Sequence, residues 1–74
     1  MSKRLPLNLR WQEVANVLKK LGYAPTRQRG SHLVLANKQG KIVTVVMKSP
    51  VKRGTLEKIL DTIGLTREKF LELL

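Results

Sequence analysis

The chain's one histidine, His32, closes the run Arg27-Gln-Arg-Gly-Ser-His. Imidazole titrates near neutral pH and can both take and give a proton. Arg27 and Arg29 stand just before it, and a guanidinium fork matches two oxygens of a phosphate. These residue types suit metal-free chemistry on RNA. The ribose 2′-OH lies beside the scissile phosphate and is a built-in nucleophile. A protein need add only proton transfer, positive charge and geometry. General acid–base help of that kind is worth ~10²–10⁴-fold. DNA lacks the 2′-OH and would not be cut this way. Gly30 would let the backbone approach the nucleotide strand closely. Each residue also has an ordinary reading. A lone surface histidine is more often inert than catalytic. Arg27 and Arg29 could be exposed strand residues, and Gly30-Ser31 a turn. Ser31 has no Gly-x-Ser-x-Gly elbow around it, so a hydrolase nucleophile is the weaker reading of it.

The surroundings of this run are basic. Fifteen Lys and Arg face five acids, a net charge of +10 in 74 residues. No acid falls between Glu13 and Glu57, an interval that holds Lys19, Lys20, Arg27, Arg29, Lys38, Lys41, Lys48, Lys52 and Arg53. A surface of one sign attracts polyanions, nucleic acid first and acidic proteins second. A basic face kept only for solubility would carry interspersed glutamates. A hydrolytic Mg²⁺ or Mn²⁺ site needs converging carboxylates, and the acids Glu13, Glu57, Asp61, Glu68 and Glu72 lie near the ends of the chain. One histidine cannot build a zinc site, and with no cysteine there is neither thiolate ligand nor disulfide. No cofactor or metal is expected.

The elements that must position these residues follow from periodicity. Val14, Val17, Leu18 and Leu21 form one helical stripe in the segment from Trp11 to Leu21. Gly22 stands where a left-handed cap would fall, with Lys19 and Lys20 in the last turn. Tyr23 to Arg29 is the weakest strand candidate, an edge strand because of Pro25. His32 to Asn37 and Lys41 to Met47 alternate, and Asn37-Lys-Gln-Gly40 would join them in a bulged hairpin with Gly40 left-handed. The register then sets Leu35 opposite Val43 and Leu33 opposite Val45 on the buried face. His32 falls at a strand start on the other face. A one-residue slip would scramble both faces. After the loop from Lys48 to Gly54, Leu56, Ile59, Leu60 and Ile63 repeat the helical stripe. Gly64 and Leu65 end it, and Thr66 caps a last short helix carrying Phe70, Leu73 and Leu74. Trp11 and Phe70 fit these stripes, so a base-stacking platform has little to stand on. The expected fold is one α+β domain over residues 1–74, α-β-β-β-α(-α), with a three-stranded antiparallel sheet and helices packed on one face. Its core is thin, since a chain this short buries only ~60–65% of its unfolded surface. The Met1-Ser-Lys-Arg start is too polar for a signal peptide. The longest apolar run, residues 42–47, is far below the ~20 residues that span a bilayer. A soluble, cytoplasmic protein without a membrane partner is expected.

The run Leu21-Gly-Tyr…Arg27-Gln-Arg-Gly-Ser-His32, the hairpin after it, Lys52-Arg-Gly-Thr-Leu56 and Ile59-Leu…Ile63-Gly-Leu-Thr-Arg-Glu-Lys-Phe-Leu resemble the HicA (YcfA-like) toxin family. No single piece is distinctive, but the order and spacing are. The resemblance extends to a Leu5-Pro6 start ahead of the first helix. It implies a fold similar to the double-stranded RNA-binding domain. It also implies mRNA interferase activity within a toxin–antitoxin pair, and a catalytic role for the histidine of the Gly-Ser-His step, here His32. A HicB-like antitoxin, commonly with a DNA-binding domain that represses the operon, would bind and mask this site. The sequence departs from the pattern in two places. Many relatives carry a second histidine in the loop after the third strand, where this chain has Met47-Lys-Ser-Pro-Val-Lys-Arg; Lys48 or Lys52 must then substitute, or activity is reduced. Arg10 stands where a Ser or Thr N-cap is common.

These observations support a metal-independent endoribonuclease. His32 would be its acid or base, with Arg27, Arg29, Gly30, Ser31, Lys41, Lys48, Lys52 and Arg53 against the RNA. The alternatives are a non-catalytic double-stranded-RNA-binding module and an adaptor for an acidic protein.

Overall fold

The computed structural model describes residues 8–74; the Leu5-Pro6 start lies outside them. Helix α1 (Trp11–Lys20) buries Val14, Val17 and Leu18 as the stripe requires. Leu21 departs from it. The helix stops at Lys20, and Leu21 takes the cap position, 36% exposed. Gly22 follows at φ +95°. Its N–H donates to the Lys19 carbonyl and that of Tyr23 to the Leu18 carbonyl, a Schellman ending. The turn carries Tyr23 into the core.

Strands β1 (Ala24–Arg29), β2 (His32–Ala36) and β3 (Ile42–Val46) form one antiparallel sheet in the order β1-β2-β3. The β2–β3 register is the expected one, Leu33 opposite Val45 and Leu35 opposite Val43. The connecting loop fixes it. Gly40 has φ +83°, and Asn37 Oδ1 accepts the N–H groups of Gln39 and Lys41 at 3.0 and 2.8 Å. That Asx geometry is the local alternative that Asn offers the backbone.

Helix α2 (Arg53–Ile63) buries Leu56, Ile59 and Leu60 and ends at Gly64, φ +69°. Thr66 Oγ1 accepts the Lys69 N–H at 3.1 Å and starts α3 (Arg67–Leu73). Phe70 is 1% exposed. The core joins α1, α2 and α3 to the Leu35, Val43 and Val45 face of the sheet. This is the α+β architecture that the resemblance implied, helices on one face and the other face open. Among the described residues no helix is long and apolar enough to cross a membrane.

Candidate nucleic-acid interface

His32 opens β2 on the open face, where its side chain is exposed. The Gly30-Ser31 step is a two-residue turn between β1 and β2. Gly30 holds φ +56° with no atom near the place a Cβ would take, as the first position of a primed hairpin turn requires. The tight turn sets Arg29 directly opposite His32. On its other flank His32 faces Val46. The imidazole makes no hydrogen bond to any described residue.

Arg27 shares that face by alternation from Arg29, and a bulge lies just before it. From Ala24 opposite Ala36 and Pro25 opposite Leu35, regular pairing would put Thr26 opposite Val34 and Arg27 opposite Leu33, on the core face. The register shifts between Pro25 and Arg27 instead, so Arg27 faces Val34 and Arg29 faces His32. The extra residue is Thr26, whose hydroxyl donates to the Val34 carbonyl at 3.3 Å. A bulge of this kind re-aims side chains. Here Arg27 and Arg29 pair regularly from the turn on the histidine side, and the bulge shifts the register of Ala24 and Pro25 beyond them.

The loop after β3 is drawn to the same end of the sheet. The Met47 N–H donates to the Ser31 carbonyl, and the Lys48 N–H to the Val46 carbonyl at 2.8 Å. Ser49 Oγ accepts the Trp11 N–H at 3.1 Å, and the Val51 N–H donates to the Leu9 carbonyl at 2.8 Å. Arg10 offers α1 no side-chain cap. Ser49 supplies one from 38 residues away, and Glu13 Oε1 accepts the Arg10 N–H. The poorly capped start noted in the sequence is thus what anchors the Lys48 loop. Lys48, Lys52 and Thr55 line a small concavity beside Val46, the cross-strand neighbour of His32. Lys52 and Arg53 are exposed at the start of α2, whose first turn has no acid.

One member of the basic set lies apart. Lys41 sits at the far hairpin end, one position beyond the Ala36–Ile42 pair. At ~3.3 Å per residue it is about 17 Å along the ladder from His32. His32, Arg27, Arg29, Lys48 and Lys52 therefore lie toward the β1–β2 turn end of the sheet, Arg53 follows Lys52 at the start of α2, and Lys41 is remote from His32. Gly30 and Ser31 act there as the turn and as the carbonyl that holds Met47. Periodicity could not disclose Ser49 as a cap, because its partner is distant in sequence. Among the described residues no three acidic or histidine side chains come together.

The geometry defines a small α+β domain with a cationic, histidine-bearing sheet end. Residues 11–65, more than half of the chain, match the family described as HicA toxin of bacterial toxin-antitoxin. The chain belongs to the HicA toxin family. No curated protein matches it.

Proposed function

We propose that this toxin is an endoribonuclease that cleaves mRNA in the cytoplasm, moves a proton through His32, and is held inactive by a HicB-like antitoxin. The observation that supports this reading is the pairing of His32 with Arg29 on an open sheet face, the imidazole unbonded. The ring is free to take the 2′-OH proton or to protonate the leaving 5′-oxygen. The Arg29 guanidinium is one strand away, where negative charge grows on the phosphorane. Arg27 continues the cationic row along β1, and Lys48, Lys52 and Arg53 extend it toward α2. The chemistry asks for no metal because the nucleophile belongs to the substrate.

A non-catalytic double-stranded-RNA-binding module is the second reading. It is favoured by one fact: the cross-strand neighbours of His32 are Arg29 and Val46, so neither position offers a second proton-transfer group. The two readings part in one experiment. RNA is incubated with the wild-type chain and with His32→Ala, in EDTA. Cleavage by the wild type with a loss of ~10²-fold or more in the variant is expected. Equal cleavage by both would remove His32 from the mechanism, and binding without cleavage by either would establish the module.

A further inference from the structure

The two edges of the sheet are unlike. The β1 edge is blunted by Pro25, by the Thr26 bulge and by the charged side chains of Arg27 and Arg29, devices that keep an edge from pairing. The β3 edge has none of them. Its sequence, Ile-Val-Thr-Val-Val, is uncharged, β-branched and regular. The Asn37 N–H to Lys41 carbonyl and Met47 N–H to Ser31 carbonyl bonds show which residues point inward. By alternation, Lys41, Val43, Val45 and Met47 bond toward β2, and Ile42, Thr44 and Val46 turn their backbone groups outward. The Val46 carbonyl is taken by the Lys48 N–H. The N–H and C=O of Ile42 and Thr44, and the N–H of Val46, have no backbone partner among the described residues.

We infer that β3 is a docking edge that takes up an extended, acidic segment of a partner polypeptide as a fourth strand. The backbone ladder supplies the pairing, and the surroundings choose the partner. A groove of about 520 Å³ runs beside the edge, with Thr55, Lys58, Ile59 and Thr62 of α2 on its far wall. No acid lines it. Lys41 and Lys48 bracket the strand. A segment with alternating small apolar and acidic side chains fits this edge. A second copy of this chain fits poorly, because it would bring Lys41, Lys48 and Lys58 against their own kind on molecules that each carry +10. RNA has no peptide ladder to offer. The inference rests on the toxin–antitoxin reading for the identity of the partner and adds where that partner attaches. The β3 edge runs from Lys41 to Val46, the cross-strand neighbour of His32, so a strand laid along it ends beside the imidazole.

The test uses the complex of this chain with the protein encoded beside it, made by co-expression. Amide hydrogen exchange is read at Ile42, Thr44 and Val46 in the free chain and in the complex. Affinity is then measured for Thr44→Pro and Thr44→Val. Proline at position 44 removes an outward N–H and leaves every bond to β2, and it asks of Val43 only the extended backbone it already has. Valine keeps the N–H. Slowed exchange at these three amides is expected, with binding about tenfold to a hundredfold weaker for Thr44→Pro and unchanged for Thr44→Val. A complex that forms without protection of these amides overturns the inference and leaves the antitoxin reading standing. This exchange readout needs no variant to fold. Equal protection in a dimer of the free chain, or on adding RNA alone, overturns the choice of occupant. Failure of the wild-type chain to form any complex brings down the antitoxin reading itself.

Discussion

Arg29 and Lys41 are both exposed cations, yet they should behave differently when removed. Arg29 is the cross-strand partner of His32, so in the proposed mechanism both face one phosphate. A charge-assisted bond to that phosphate is worth ~1.5–3 kcal/mol, so Arg29→Ala should lower kcat/KM by roughly 10–100-fold in a single-turnover RNA cleavage assay. Lys41→Ala should change affinity a few-fold and leave the cleavage rate of bound RNA intact. Equal losses in kcat for the two variants would contradict the polarity of the site. Gly30 gives a third test at this scale. No atom lies near its absent Cβ, so Gly30→Ala meets no clash and carries only the backbone cost of φ +56°. A loss of about 1 kcal/mol in urea denaturation is expected.

At the scale of elements, the Gly30-Ser31 turn sets which face the arginines serve, and the bulge absorbs the extra residue before them. Deleting Thr26 should restore regular pairing from Pro25 onward. Arg27 then follows Pro25 directly and keeps its place opposite Val34, with Arg29 opposite His32 and the Gly30-Ser31 turn intact. RNA binding should then match that of Thr26→Ala, which keeps the residue count, with both measured by fluorescence anisotropy; a several-fold fall would show that the bulge itself places the arginines. Ser49→Ala removes the cap that α1 borrows from the Lys48 loop and should cost about 1 kcal/mol of stability, with raised amide exchange from Met47 to Val51. The sequence made some of this architecture legible. The β2–β3 register was readable because Leu33, Leu35, Val43 and Val45 must all be buried and Asn37 to Gly40 allows one turn. The bulge was not, because every residue of β1 is exposed and no burial pattern fixes its register. Leu21 matched the helical stripe, yet the Schellman turn at Gly22 ends the helix before it and buries Tyr23 in its place. The Ser49 cap is a contact between segments that no local rule joins.

At the scale of the molecule, the basic charge and the thin core set the limits. RNA affinity should fall steeply with salt, and each phosphate contact removed, at Arg27, Lys48 or Lys52, should reduce the slope of log K against log salt by about 0.7–0.9. A truncation such as Phe70→Ala costs ~3–5 kcal/mol in a well-packed core. Phe70 is 1% exposed and is the buried anchor of α3. Small domains sit near the ~5 kcal/mol end of the stability range, so this variant should be largely unfolded at 37 °C by circular dichroism. His32 stood out as the candidate reacting group because it is the chain's only histidine and stands in a basic run. The separation of Lys41 from His32 follows from the same readable hairpin register, although charge alone grouped the two.

That separation makes the Lys38-Gln39 tip the natural handle on this protein. The tip is exposed, held only by its own Asn37 turn, and far from the turn that carries the imidazole. Loop tips of this kind accept foreign residues. A dye or surface anchor grafted there would leave the His32 end facing solution, and the proposed cleavage could be sought one event at a time on a tethered molecule.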